Sequence, residues 1–211
     1  MRNLARILAV AFCACALPLA ADAAAMIRDL GQGLAYFRVH VLPDDQPSPV
    51  TGRPGACVLD LRYAKSDVPS ALTLKAWIKF NVTPHTPVFV LENAETDPAL
   101  LAAVSGGGLE GYLVIAPISK SVSPDIAVHV SGSEDRKAYQ ALEKGADVKS
   151  LLSDYPDKPR VDEAYLEKEH IADSEAPDSV SDKPDPPKPM IDAVLQKAVQ
   201  LHRGLTALRR I

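Results

Sequence analysis

The stretch "PVFVLENAETDPALLAAV" (Pro87 to Val104) has the strand-to-helix layout where α/β enzymes often place a nucleophile. An apolar run from Val88 to Leu91 reads as a buried strand, and the alanine- and leucine-rich run after Asp97-Pro98 reads as a helix. A helix N-terminus presents unpaired N–H groups and a partial positive charge, which favour a developing anion. The turn between these elements, Glu92 to Ala99, holds no Ser, Cys or Lys. Other groups that could act as a nucleophile or base lie further along: Ser105, then Ser119, Lys120, Ser121 and Ser123 after the next apolar run. A lone Lys before a strand reads as a solvated charge unless a hydroxyl lies within its reach.

Metal and thiol chemistry have little support. His40, His85, His129, His170 and His202 form neither H-x-H nor H-E-x-x-H, and no C-x-x-C is present, so no metal site and no cofactor are expected. "EKEH" (Glu167–His170) reads as a solvated helix face. Cys57 lies inside an apolar run, where a free Cys acts as a small buried hydrophobe. The glycines of "SGGG" (Ser105–Gly108) follow a helix and precede a strand, the reverse of a phosphate-binding loop, and read as a helix cap and turn.

Several elements must position these residues. "GLAYFRVHVL" (33–42) alternates partly, as a strand with one wetter face does, while "ACVLDLRY" (56–63), "PVFVLE" (87–92) and "GYLVIAPI" (111–118) are apolar enough to be covered on both faces. Helix patterns separate them: Ala71, Leu74, Trp77 and Ile78 lie on roughly one face of residues 69–80, and Asp97 with Pro98 supplies an N-cap and first helical position. A fifth strand over 125–130 precedes a helix at about 134–144. Alternating strand and helix implies an α/β domain with a mostly parallel sheet.

The ends differ in character. Arg2 and Arg6, an apolar core and "ADA" at 21–23 read as a signal peptide over residues 1–23, too short for a membrane span. Its removal leaves 21 basic against 26 acidic residues, a charge of −5, which argues against nucleic acid as a partner. The domain then runs over 24–152. Residues 153–189 carry eleven acidic and five basic residues and seven prolines, and read as an acidic, Pro-rich linker with a short helix near 161–171. Residues 190–211 restore an apolar stripe, Ile191, Val194, Leu195, Ala198, Leu201, Leu205 and Leu208, expected as an amphipathic helix docked on the domain.

The order of these segments resembles the core of the tail-specific, or C-terminal-processing, serine peptidases. "GLAYFRV" resembles the strand before that family's catalytic core, "CVLDLR" its Leu-Asp-Leu-Arg strand, and "PVFVLENAET" the strand and turn that lead to its nucleophile. "GYLVIAPISK" resembles the strand before its catalytic Lys, "SPDIAVHV" a later Pro-Asp-Ile strand, and "DAVLQKAVQLHRGL" its closing helix. The resemblance implies a crotonase-like fold, with Lys120 at the general-base position and Asn93, Thr96 and Asp97 in the site turn. It also places the nucleophilic Ser on Pro98, which has neither hydroxyl nor N–H, and "RYAKSDVPSA" lacks the glycines of the family's oxyanion loop. The resemblance therefore implies a degenerate, inactive member in the periplasm or secreted. It would bind unstructured peptides or protein C-termini, or serve as a scaffold, and meet a membrane only through its signal peptide. An active hydrolase pairing Lys120 with Ser105, Ser119, Ser121 or Ser123 is the first alternative. A sulfurtransferase-like domain is the second, since Leu-Asp-Leu-Arg strands occur there too, but the Cys it needs in a later loop is missing.

Overall fold

The computed structural model describes residues 26–47, 55–104, 111–153 and 190–211. The expected signal peptide, the acidic linker with its short helix, Ser105 and the glycines after it lie outside these residues.

Six strands form one sheet in sequential order: β1 (Met26–Asp29), β2 (Ala35–Arg38), β3 (Cys57–Asp60), β4 (Val88–Leu91), β5 (Tyr112–Pro117) and β6 (Ile126–Val128). β1 pairs antiparallel with β2, and every later pair is parallel. The three central apolar runs are neighbours as expected, with Cys57 opposite Val88 and Val88 opposite Tyr112. β1 is not foreseen from the sequence. The expected strand over 33–42 is shorter, because Asp45 Oδ2 accepts the N–H groups of His40 and Val41 and draws that backbone into a loop.

Alternation along the strands sorts side chains into two cores. On one face Cys57, Leu59, Val88, Val90, Tyr112 and Val114 pack under α1 (Val68–Asn81) and α2 (Pro98–Val104), which meet through Ala71, Leu74, Leu100 and Ala103. On the other face Tyr36, Val58, Phe89, Leu91 and Ile115 pack under α3 (Gly132–Glu143), a 3-10 turn (Val148–Leu151) and α4 (Ala193–Ala207). The crossovers through α1 and α2 lie on the same face and advance one strand at a time, so this part of the chain winds as a spiral.

Each helix begins where its sequence supplies a cap. Asp67 accepts from Ser70 N ahead of α1, and Pro69 sits in the first turn. Asp97 Oδ1 accepts from Ala99 N at the start of α2. Ser131 and Glu134 form a reciprocal capping box on α3, which moves its start ahead of the expected residue 134. α4 docks as its apolar stripe requires, with Val194, Leu195, Ala198 and Val199 buried against the sheet.

Where α1 ends, the chain passes so close to the entry of β5 that only glycine fits. Gly111 has φ +87, and a Cβ there would lie 2.4 Å from Thr83 O. Gly111→Ala combines left-handed strain with a backbone clash. It is expected to cost about 2–4 kcal/mol, read as a lowered urea midpoint with unchanged slope. A shift under about 0.5 kcal/mol would refute the close approach.

Candidate functional site

Along β2 and β3 and just past the end of β3, period-two alternation places Tyr36, Arg38, Asp60 and Arg62 on the face that α3 and α4 cover. Arg62 is fully buried and folds back onto Asp60, donating from Nε to Oδ1 at 3.0 Å and from Nη2 to Oδ2 at 2.7 Å. It also donates to Asp192 through Nη1 (3.0 Å) and Nη2 (2.8 Å), and to Asp135 Oδ1 through Nη1 (2.8 Å). The remaining carboxylate oxygens find further donors. Tyr36 OH reaches Asp60 Oδ2 at 2.8 Å, and Tyr63 OH and Asn93 Nδ2 reach Asp135 Oδ2 at 2.8 and 3.1 Å.

Two of the three aspartates sit at helix N-termini. Asp192 caps α4, accepting from Leu195 N, and Asp135 lies in the first turn of α3, so the helix ends share in holding both charges. Burial alone would raise the Asp60 pKa, but Arg62, hydrogen bonds from Arg62 and Tyr36, and the more distant Arg38 outweigh it and hold the carboxyl ionised below its usual range. Arg38 is equally buried. Its guanidinium lies 3.6 Å from the centre of the Tyr139 ring and donates to Tyr139 O.

The turn singled out in the sequence joins this cluster and is closed by it. Thr96 Oγ1 donates to Leu61 O and accepts from Asn93 N. Glu95 N donates to Asn93 Oδ1, Thr96 N to Asn93 O, and Asp97 N to Ala64 O. Glu95 also pairs with Arg136 of α3. Asn93, Thr96 and Asp97 thus lie together in one turn, and the N–H groups of Asn93, Glu95, Thr96, Asp97 and Ala99 all have internal acceptors. Pro98 is exposed at the tip and opens α2. Across from the turn, Arg62 N is bound to Asp60 and Ala64 N to Leu61 O. An oxyanion hole needs two unclaimed donors aimed at one point, and these N–H groups are committed elsewhere.

Lys120 is exposed in the loop after β5 and makes no hydrogen bond or ion pair among the described residues. Ser119 Oγ accepts from Val122 N and lies 3.5 Å from Ser121 Oγ, while Ser121 and Ser123 are exposed. No described serine hydroxyl is hydrogen-bonded to Lys120. Cys57 is buried, and burial pushes its thiol up to about 12, where no thiolate forms at neutral pH. No group of three or more His, Cys, Asp or Glu suited to a metal occurs among the described residues.

Glu92, the last residue of "PVFVLE", was not singled out by sequence. It is 0% exposed, and neither carboxylate oxygen has a hydrogen-bond partner among the described residues. Burial, with the Asp125 charge as a second cause, pushes its pKa up to about 8. The sequence signal was an acidic residue closing an apolar strand, which also fits a solvent-exposed strand end.

No family model matches the chain, and neither does any curated protein or solved structure. No helix among the described residues is long and apolar enough to cross a membrane.

Two expectations follow. Arg62→Met leaves three buried carboxylates without their shared cation and is expected to cost about 3–5 kcal/mol, read by urea unfolding; a loss below about 1 kcal/mol would contradict the central role given to Arg62. For Glu92, the folded chain keeps its proton up to about pH 8, whereas an unfolded carboxyl loses it near 4.5. Unfolding therefore releases a proton between these values, and stability falls as pH rises from 4.5 towards 8. Glu92→Gln is expected to flatten that fall and to gain on the order of 2 kcal/mol at pH 8. Equal losses in wild type and variant between pH 5 and pH 8 would remove Glu92 as the cause.

Proposed function

We propose that this chain is an exported, catalytically inactive α/β module with the crotonase-like core of the tail-specific peptidases, acting as a peptide- or protein-binding scaffold in the periplasm or outside the cell. One observation carries the inactive reading: the turn that matches the family's nucleophile turn has Pro98 at the nucleophile position and spends its N–H groups on internal acceptors. Acyl transfer needs both an activated nucleophile and free oxyanion donors, so two separate contributions are missing. The sequential, spiral winding of the parallel strands is compatible with the crotonase-like assignment. Export is supported by the charged, apolar and small-residue pattern of residues 1–23.

The binding role is supported by α1. Its inner face fills the core, yet Val68, Leu72 and Phe80 are 61%, 55% and 68% exposed. With exposed Ala76 they recur every four residues, which makes an apolar ridge along the outer face. A helix apolar on both sides fits one that is covered again by a partner.

A fluorophosphonate probe tests the reading, because it labels any activated Ser wherever it lies. No labelling is expected for the wild type or for Pro98→Ser, since the variant restores a hydroxyl without restoring oxyanion donors. Labelling of the wild type that Lys120→Ala abolishes would establish the relocated dyad instead. In parallel, an unstructured peptide should bind the wild type and lose at least about tenfold in affinity on Leu72→Asp with Phe80→Asp. Undiminished binding would remove α1 as the surface.

A further inference from the structure

The outer face of α1 carries more information than its apolar character. Val68, Leu72, Ala76 and Phe80 follow one another at steps of four, and all four side chains are exposed. Each such step turns a helix slightly past a full circle, so the row climbs obliquely, and from Val68 to Phe80 it covers about 18 Å of the axis. Rows at steps of four are the ridges that enter the grooves of a second helix crossing at about 50°. Ala76, the smallest member, stands between Leu72 and Phe80, so a second backbone can approach most closely at the middle of the ridge.

A neighbouring row gives the ridge a sign. Lys75 and Lys79 stand three residues after Leu72 and Ala76 and so border the ridge along one side. Lys75 is half-buried and Lys79 exposed, and neither makes a hydrogen bond or ion pair among the described residues. α1 contains no Asp or Glu of its own. Asp67, just ahead of it, accepts from Ser70 N as the cap, and α2, packed beside α1, has no ionisable side chain. In a chain with 27 acidic residues against 23 basic ones, this helix is therefore an apolar ridge with a positive border. A second copy presenting the same helix would bring the same two lysines and no carboxylate from α1 to meet them.

We propose that α1 docks an acidic amphipathic helix, a partner segment whose apolar groove receives Val68, Leu72, Ala76 and Phe80 and whose Asp or Glu side chains face Lys75 and Lys79. This assignment, which rests on the reading of α1 as the binding surface, adds the class of partner. The apolar ridge supplies most of the affinity, because burial of apolar area drives association. The two lysines at its rim select among partners and fix orientation, which is what charges at the edge of an interface do best.

The test is fluorescence anisotropy of the full chain with two labelled peptides of about five helical turns. They share a leucine stripe and alanines elsewhere, with glutamate in one and lysine in the other at the positions bordering the stripe. The glutamate peptide should bind at least about tenfold more tightly than the lysine peptide. That preference should shrink as salt rises from about 50 mM to about 500 mM. A glutamate peptide with a central proline, which breaks the helix, should bind at least about tenfold more weakly. Lys75→Glu with Lys79→Glu should reverse the preference, and Leu72→Asp with Phe80→Asp should abolish binding of both peptides, with circular dichroism verifying that each variant is folded. Equal binding of the two peptides, a preference unmoved by the double charge reversal, or indifference to the proline would overturn this partner. The α1 reading would survive any of these if the apolar double variant still abolished binding. Unchanged binding by the apolar double variant would overturn both. Recruitment to vesicles of phosphatidylcholine and phosphatidylglycerol, with neither peptide bound, would assign the ridge to a membrane surface and overturn the helical partner.

Discussion

One buried guanidinium sets the relation of the sheet to the layer that covers it. Arg62 meets an aspartate from its own strand, one from the first turn of α3 and one from the cap of α4. Two segments more than seventy residues away in sequence are thereby aligned on the end of β3. Hydrophobic packing alone fixes such a layer loosely, because apolar contacts are non-directional. Five donor–acceptor contacts from one planar group specify position and rotation together. Desolvation offsets much of the Coulomb gain of such a cluster, so its main product here is a defined geometry rather than a large net stabilisation.

The same cluster explains why the polar groups of the Asn93–Pro98 turn are committed to internal partners. Asn93 gives its amide to Asp135, and Thr96 gives its hydroxyl to the backbone of the Leu-Asp-Leu-Arg strand. A site poised for acyl transfer would leave such donors for substrate and build them around a reactive oxygen. Here they hold the β3 and β4 ends to each other and to α3. Glu92 stands apart as a buried carboxyl with no hydrogen-bond partner among the described residues, beside a turn in which so many other polar groups are paired.

Much of the architecture was legible in the sequence, because three short apolar runs separated by helix-length segments have few solutions other than parallel pairing. The cap of α2 and the docking of α4 follow from residue types at fixed offsets. The cluster around Arg62 was not legible. Its members lie at 60, 62, 135 and 192, and each reads locally as something else: a strand-end charge, a helix first turn, a cap. Only the sheet register and the return of the chain from residue 190 bring them together. The truncation of the 33–42 strand was hidden for the same reason, since it rests on Asp45 capturing two N–H groups ahead of it. Asn93, Thr96 and Asp97 fall within five residues and so share one local turn, whereas Lys120 and the serines near it depend on a loop path that no local pattern encodes.

Gln196 grips the backbone of Ser153 with two hydrogen bonds, one from Ser153 N and one to Ser153 O, while Asp192 N donates to Leu151 O. The described residues on either side of the acidic, proline-rich stretch are thus stapled together like the stem of a hairpin. Loop-closure entropy grows only with the logarithm of length, so the body is nearly indifferent to how many residues lie between those points. The acidic, proline-rich sequence there can therefore lengthen, shorten or change its composition over evolutionary time at small cost to the fold. In that sense the paired residues Ser153 and Gln196 mark a built-in insertion port.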